Sequence, residues 1–146
     1  MKKLMVRWAV HFVLVLATPW VVAEGPVVQV YKTPSCGCCG DWVQHLESAG
    51  FAVRVKDLDD LAAIKDRLGV PADLQSCHSA VVQGHVIEGH VPASDIRRLL
   101  EEHPEGGGLA VPGMPLGSPG MEYGNRKQPY QVILFDTETR SVFASH

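Results

Sequence analysis

The chain has 146 residues, of which 46% are hydrophobic and 20% charged, and 13 Lys and Arg stand against 16 Asp and Glu for a formal charge of −3 at pH 7. An acidic chain without a basic stripe argues against a nucleic-acid partner, whose phosphates demand clustered positive charge, and it suits a cation as cargo. The length is enough for one domain with a core of its own, so the four cysteines are not needed as staples.

Residues 1–23 read as a secretory signal. Lys2, Lys3 and Arg7 form a positive n-region. Trp8 to Ala17 form an apolar run, short of the roughly 20 residues a spanning helix needs. Pro19 and Val21-Val22-Ala23 complete the pattern with a small residue at the cleavage site; an uncleaved anchor is the alternative. Cleavage removes three basic residues and no acidic one, leaving 10 Lys and Arg against 16 Asp and Glu, a charge of −6. No later stretch is apolar enough to span a bilayer, so the expected mature protein lies outside the cytoplasm and off the membrane.

"GPVVQVYKT" (25–33) is a β-branched run ending at Pro34 and predicts a strand. "GDWVQHLESAG" places Trp42, Val43, Leu46 and Ala49 at helical spacing, with Gly50 as its stop. "FAVRVKDL" alternates as a second strand. "DDLAAIKDRLGVP" puts Leu61, Ile64 and Leu68 on one helical face. "SAVVQGHVIEGHV" reads as a hairpin around Gln83-Gly84. "PASDIRRLLEEH" offers Pro92 for a first helical turn and buries Ile96, Leu99 and Leu100. The order β-α-β-α-β-β-α predicts a thioredoxin-like α/β fold, a mixed sheet flanked by helices with the cysteines where the first strand enters the first helix. Residues 104–129 are too rich in Gly and Pro for helix or strand. Their Leu109, Val111, Met114, Leu116 and Met121 favour a loop that packs onto the domain over a free linker. "YQVILFDTETRSVFAS" closes the chain as a strand, a turn and a short strand, a terminal β-hairpin.

Three of the four cysteines fall in "KTPSCGCCGDW". A disulfide between neighbours Cys38 and Cys39 is strained. Cys36 and Cys39 bracket two residues, the spacing of a redox pair at a helix N-terminus, where the dipole and free N–H groups favour thiolate; in that chemistry they are the catalytic residues. Cys38 is then a thiol such chemistry does not need. Cys77 just precedes the third strand, at a loop this layout sets beside the redox cysteines, so four sulfurs converge. Soft thiolates select Cu(I), Zn or iron–sulfur clusters. The C-x-C-C spacing matches neither the paired spacing of zinc sites nor that of iron–sulfur motifs. Adjacent thiolates bridge several ions more easily than they chelate one, which points to a thiolate-bridged polynuclear copper site.

Met114 and Met121 are candidate thioether ligands in a loop that folds back over the site; the plainer reading makes them gap-filling hydrophobes. Of the histidines, His45, His103 and His146 read as solvated, and His85 lies at the hairpin tip, away from the cysteines. His78, beside Cys77, and His90, in "EGHVP", could ligate through neutral imidazole, although each taken singly reads as a structural histidine; His90 is the first to test. No Ser-His-Asp order or dinucleotide fingerprint appears, and Gly106-Gly107-Gly108 follows a helix where a phosphate loop would open one.

The segments "YKTPSCGCCGDWVQHLESAGF", "SCHSAVVQGHVIEGHVPASDI" and "GLAVPGMPLGSPGME", with the leader before them, resemble the CopG-like periplasmic copper-resistance proteins, recognised by their C-x-C-C motif. The resemblance covers nearly all of the mature chain. It implies residues 24–103 as a thioredoxin-like domain and 104–146 as an extension contributing to the metal site. It also implies periplasmic copper bound beside the motif and redox handling of Cu(I) and Cu(II). Cys36, Cys38, Cys39 and Cys77 take the family's cysteine positions, and Met114 and Met121 fall in the matching extension. Expected partners are copper ions and periplasmic copper-export or electron-transfer proteins, with the chain a monomer. A metal-free thiol–disulfide oxidoreductase and a copper carrier without redox turnover remain alternatives.

Overall fold

The computed structural model describes residues 25–102 and 107–146. The proposed signal and His103 lie outside the described residues. Seven strands form one mixed sheet in the order β2-β1-β3-β4-β5-β6-β7. β1 (Val27–Lys32) lies parallel to β2 (Ala52–Asp57) and antiparallel to β3 (Ser79–Val82), which pairs antiparallel with β4 (His85–Glu88). β5 (Gly108–Ala110) runs parallel to β4 and antiparallel to β6 (Gln131–Phe135), and β7 (Arg140–Ser145) closes the terminal hairpin. The expected mixed sheet flanked by helices is therefore present.

Strand alternation explains which face each helix covers. Val28, Val30, Ala80, Val82, Ile87 and Leu109 point to one face. There they pack against Trp42 and Leu46 of α1 (Gly37–Ser48) and Ile96 and Leu99 of α3 (Ala93–Glu102). Val86, Ala110 and Phe135 point to the other, under Val70 and Leu74; Leu74 belongs to a short 3-10 turn (Ala72–Leu74) that follows α2 (Ala62–Arg67). The β3–β4 turn takes positive φ at both Gln83 (47°) and Gly84 (87°), as a two-residue hairpin with the sheet's right-handed twist requires. Among the described residues no helix is long and apolar enough to cross a membrane.

Three sequence expectations need correction. α1 begins at Gly37, ahead of the apolar periodicity that starts at Trp42, so Cys38 and Cys39 lie in its first turn and Cys36 is its N-cap. The Gly/Pro-rich segment contains a strand after all. A Cβ on Gly108 would lie 1.9 Å from the Val86 carbonyl oxygen, so glycine is what lets β5 reach β4. Val86 N–H donates to the Gly107 carbonyl (2.9 Å) and Gly107 N–H to that of Phe135 (2.7 Å), which satisfies this backbone in the interior. Third, the inward face of α2 is not purely apolar: Lys65 is buried between Leu61 and Leu68.

Candidate metal centre

The cysteine motif sits where β1 hands over to α1. Pro34 ends the strand, Cys36 N–H donates to the Thr33 carbonyl (3.1 Å), and Cys36 itself has extended backbone with no side-chain cap bond. Cys36 and Cys38 are half-buried and Cys39 fully buried. Cys36 and Cys39 are joined as a disulfide, while Cys38 and Cys77 are free thiols. The Cys36 and Cys38 sulfurs lie 3.6 Å apart, and Cys39 Sγ is 3.8 Å from the Cys77 carbonyl oxygen. All four sulfurs lie within 4.8 Å of one another.

The loop between the 3-10 turn and β3 delivers Cys77 and His78; the chain leaving β4 delivers His90. Gly89 N–H donates to the His78 carbonyl (3.0 Å), which extends the hairpin past its last strand pair and brings the two segments together. Cys77 Sγ is 3.3 Å from His78 Nδ1 and 3.1 Å from His90 Nε2. Cys77, His78 and His90 thus form a second donor group that shares its sulfur with the first. The first group is sulfur alone and the second sulfur with imidazole nitrogen, the donor set of a soft or borderline ion.

The tautomer of His90 follows from its other nitrogen. Nδ1 lies 2.8 Å from the Pro119 carbonyl oxygen, which can only accept, so Nδ1 carries the hydrogen and Nε2 turns its lone pair toward Cys77. A backbone carbonyl of the extension thereby orients a candidate ligand, as supporting groups do behind metal-bound histidines. His78 is wholly buried against Trp42 (ring centroids 4.3 Å) and His90 (5.0 Å), and its Nε2 has no hydrogen-bond partner among the described residues. Burial, reinforced by His90 and Lys65, holds the His78 pKa well below the ordinary imidazole value; burial lowers His90 also. Both imidazoles are neutral and able to donate a lone pair. The Cys77 thiol is pushed up to about 11, first by burial and then by Cys38. Without metal it holds its proton at neutral pH, and binding an ion there releases one.

The extension packs onto this centre. Val111 and Ser118 are fully buried, and a Cβ on Gly120 would lie 2.6 Å from the Cys38 carbonyl oxygen and 2.8 Å from Trp42 N. Met121 is the next residue and is half-buried; Met114 is 52% exposed. His85 opens β4 at the far end of the hairpin from Cys77. One histidine expected to be solvated is half-buried: His45 Nε2 accepts from Ala93 N–H (3.1 Å) at the start of α3. His146 is exposed, as expected, although its Nε2 meets Asp95 Oδ2 (2.7 Å) and its ring stacks on Tyr130. Sequence reasoning also missed Trp42 as the wall behind His78, Pro119 as the partner of His90, and the buried polar groups behind Cys77.

Residues 74–121 match the family described as a protein of unknown function, DUF411. Two solved structures, described as copper resistance protein CopG form 2 and form 1, are each 47% identical to the chain and superpose with a TM-score of 0.80. The match covers 84% of this chain in both cases, and 99% and 98% of those chains. No curated protein matches the chain.

Proposed function

The chain belongs to the CopG copper-resistance family, and we propose that it serves copper resistance by binding more than one copper ion through Cys36, Cys38, Cys39 and Cys77 and by interconverting Cu(I) and Cu(II). The observation that carries this reading is the convergence of four sulfurs within 4.8 Å, with Cys77 shared by His78 and His90. Four thiolates in so small a volume repel one another unless cations lie between them, and a thiolate sulfur has lone pairs enough to bridge two ions. Sulfur favours Cu(I), and the imidazole half offers nitrogen to Cu(II). Met121, beside the cysteine helix, is the better placed of the two methionines to add a thioether.

The disulfide supports a redox role. Two thiolates, at Cys36 and Cys39, give one electron each to two Cu(II) ions; two Cu(I) ions and one S–S bond result, with no atom gained or lost. Restoring the thiolates takes two electrons from an external dithiol or electron-transfer protein. The leader-like residues 1–23 support export to the periplasm, where copper-export proteins are the natural recipients of the metal.

The Cys36–Cys39 disulfide at a helix N-terminus also favours a second reading, metal-free thiol–disulfide exchange. One pair of measurements separates them. Under the copper reading, replacing Cys36, Cys38 and Cys39 together by Ser reduces copper retained after dialysis to background, and metal-free protein reduces a model disulfide slowly. Retention equal to that of the unaltered protein contradicts the copper reading. Fast disulfide reduction that Cys39→Ser abolishes favours the second.

A further inference from the structure

Behind the donor cluster lies an ion pair whose carboxylate none of the chemistry above uses. Glu88, on β4, is wholly buried and Lys65 is 5% exposed. Glu88 shares with Val86 the face of the sheet that lies under Val70 and Leu74, and Lys65 reaches it from α2. Glu88 Oε1 accepts from Lys65 Nζ (2.5 Å) and from Ser76 N–H (2.6 Å). Its Oε2 accepts from Ser79 Oγ (2.5 Å), which in turn accepts from Lys65 Nζ (3.0 Å). Burying two charges is a poor way to gain stability, since well-packed apolar residues often do as well. What an apolar pair cannot do is hold Ser76 N–H.

That contact is the informative one. Ser76 precedes Cys77 and Ser79 follows His78, so one carboxylate grips the chain on both sides of the Cys77-His78 pair. Glu88 also leads directly into Gly89-His90. Gly89 adopts φ +70°, and a Cβ there would lie 2.8 Å from Ser76 Cβ, so the two segments are interlocked. Ser76 Oγ donates to the Gly113 carbonyl (2.6 Å) and ties in the extension. We propose that Lys65, Glu88 and Ser79 form a positioning clamp that sets Cys77 and His90 at the spacing the copper donors require. This rests on the copper reading, but the clamp acts on the chain whether or not metal is bound.

The test therefore begins without copper. Reduced protein carrying Cys36→Ser and Cys39→Ser keeps Cys38 and Cys77 alone, and a monosubstituted trivalent arsenical binds tightly only where two sulfurs reach one arsenic. With the clamp intact, one arsenic bridges Cys38 and Cys77. Adding Lys65→Met with Glu88→Leu replaces the pair by apolar residues, which leaves the melting temperature within a few degrees and weakens bridging by roughly tenfold or more. Lys65→Met with Glu88→Gln restores an acceptor for Ser76 N–H and recovers most of that loss. In the chain with all four cysteines, the same apolar replacement shifts the thiolate–copper absorption bands. If the apolar pair prevents folding, Ser79→Ala removes the two hydrogen bonds of its hydroxyl and is expected to weaken bridging about fivefold. Equal bridging with and without the clamp overturns the clamp and leaves the copper reading standing. Absence of bridging with the clamp intact overturns the convergence of the sulfurs, and the clamp with it.

Discussion

Cys77 stands in both donor groups, and its neighbours set how it behaves. Burial and then Cys38 hold its proton on, while His90 Nε2, fixed by the Pro119 carbonyl, offers a lone pair at 3.1 Å. Cys77→Ser should therefore lower Cu(I) affinity by more than the roughly 10- to 100-fold that loss of a supporting residue costs a metal site. His90→Gln should fall near the lower end of that range. Competition against a chromogenic Cu(I) chelator measures both, and a Cys77→Ser protein equal to the unaltered one contradicts the shared-sulfur arrangement. At this scale residue type made the cysteines, His78 and His90 legible. The groups that orient them were not, because a carbonyl such as that of Pro119 or an N–H such as that of Ser76 has no signature in residue identity. His45 was misread for a related reason: its partner, Ala93, lies 48 positions away, as the Asp95 that exposed His146 meets lies 51 away.

The elements carry the site by meeting at their ends. α1 brings Cys38 and Cys39 in its first turn, the β3–β4 hairpin brings Cys77, His78 and His90, and the extension presses Gly120 onto the Cys38 and Trp42 backbone. Gly120 has φ +82° and no room for a side chain. Gly120→Ala is expected to cost about 1–3 kcal/mol in thermal or denaturant unfolding. It should also weaken copper binding, since Pro119 is the adjacent residue. An Ala protein as stable as the parent contradicts this packing. Trp42 links the same elements: its buried indole N–H donates to the Val91 carbonyl at 2.8 Å. Trp42→Phe leaves that carbonyl unpaired and should cost about 1–3 kcal/mol, read by the same melts. Strong periodicity made α1, α3 and the hairpin readable. β5 was not, because it is three residues long, set among glycines and prolines, and opens on Gly108, whose role is close approach to Val86.

Over the whole molecule, one uninterrupted sheet joins the first strand to the terminal hairpin, so the extension is built into the same core as the cysteine motif. The buried histidines then make stability depend on pH. Burial lowers His45, His78 and His90 below their ordinary value of 6.5. Below pH 6.5 the unfolded chain binds protons that the folded chain refuses, so stability is full above that pH and is lost as pH falls toward the lowered values. For His45 the structural reason is plain, because a protonated imidazole has no lone pair to accept from Ala93 N–H. Metal-free protein should melt several degrees lower at pH 5.5 than at pH 7.5, and His45→Gln should reduce that difference. A melting temperature that rises on acidification contradicts the assignment. The overall layers were legible from the order of elements, whereas the charges inside them were not. Lys65 in an apolar helical face and Glu88 in an apolar strand each broke a pattern, but only the fold shows that they break it together.

X-ray absorption at the copper edge of copper-loaded protein tests the central claim most directly. A first shell made mainly of sulfur with a minority of nitrogen, together with copper–copper scattering, is the predicted result. A shell of nitrogen and oxygen alone would contradict it.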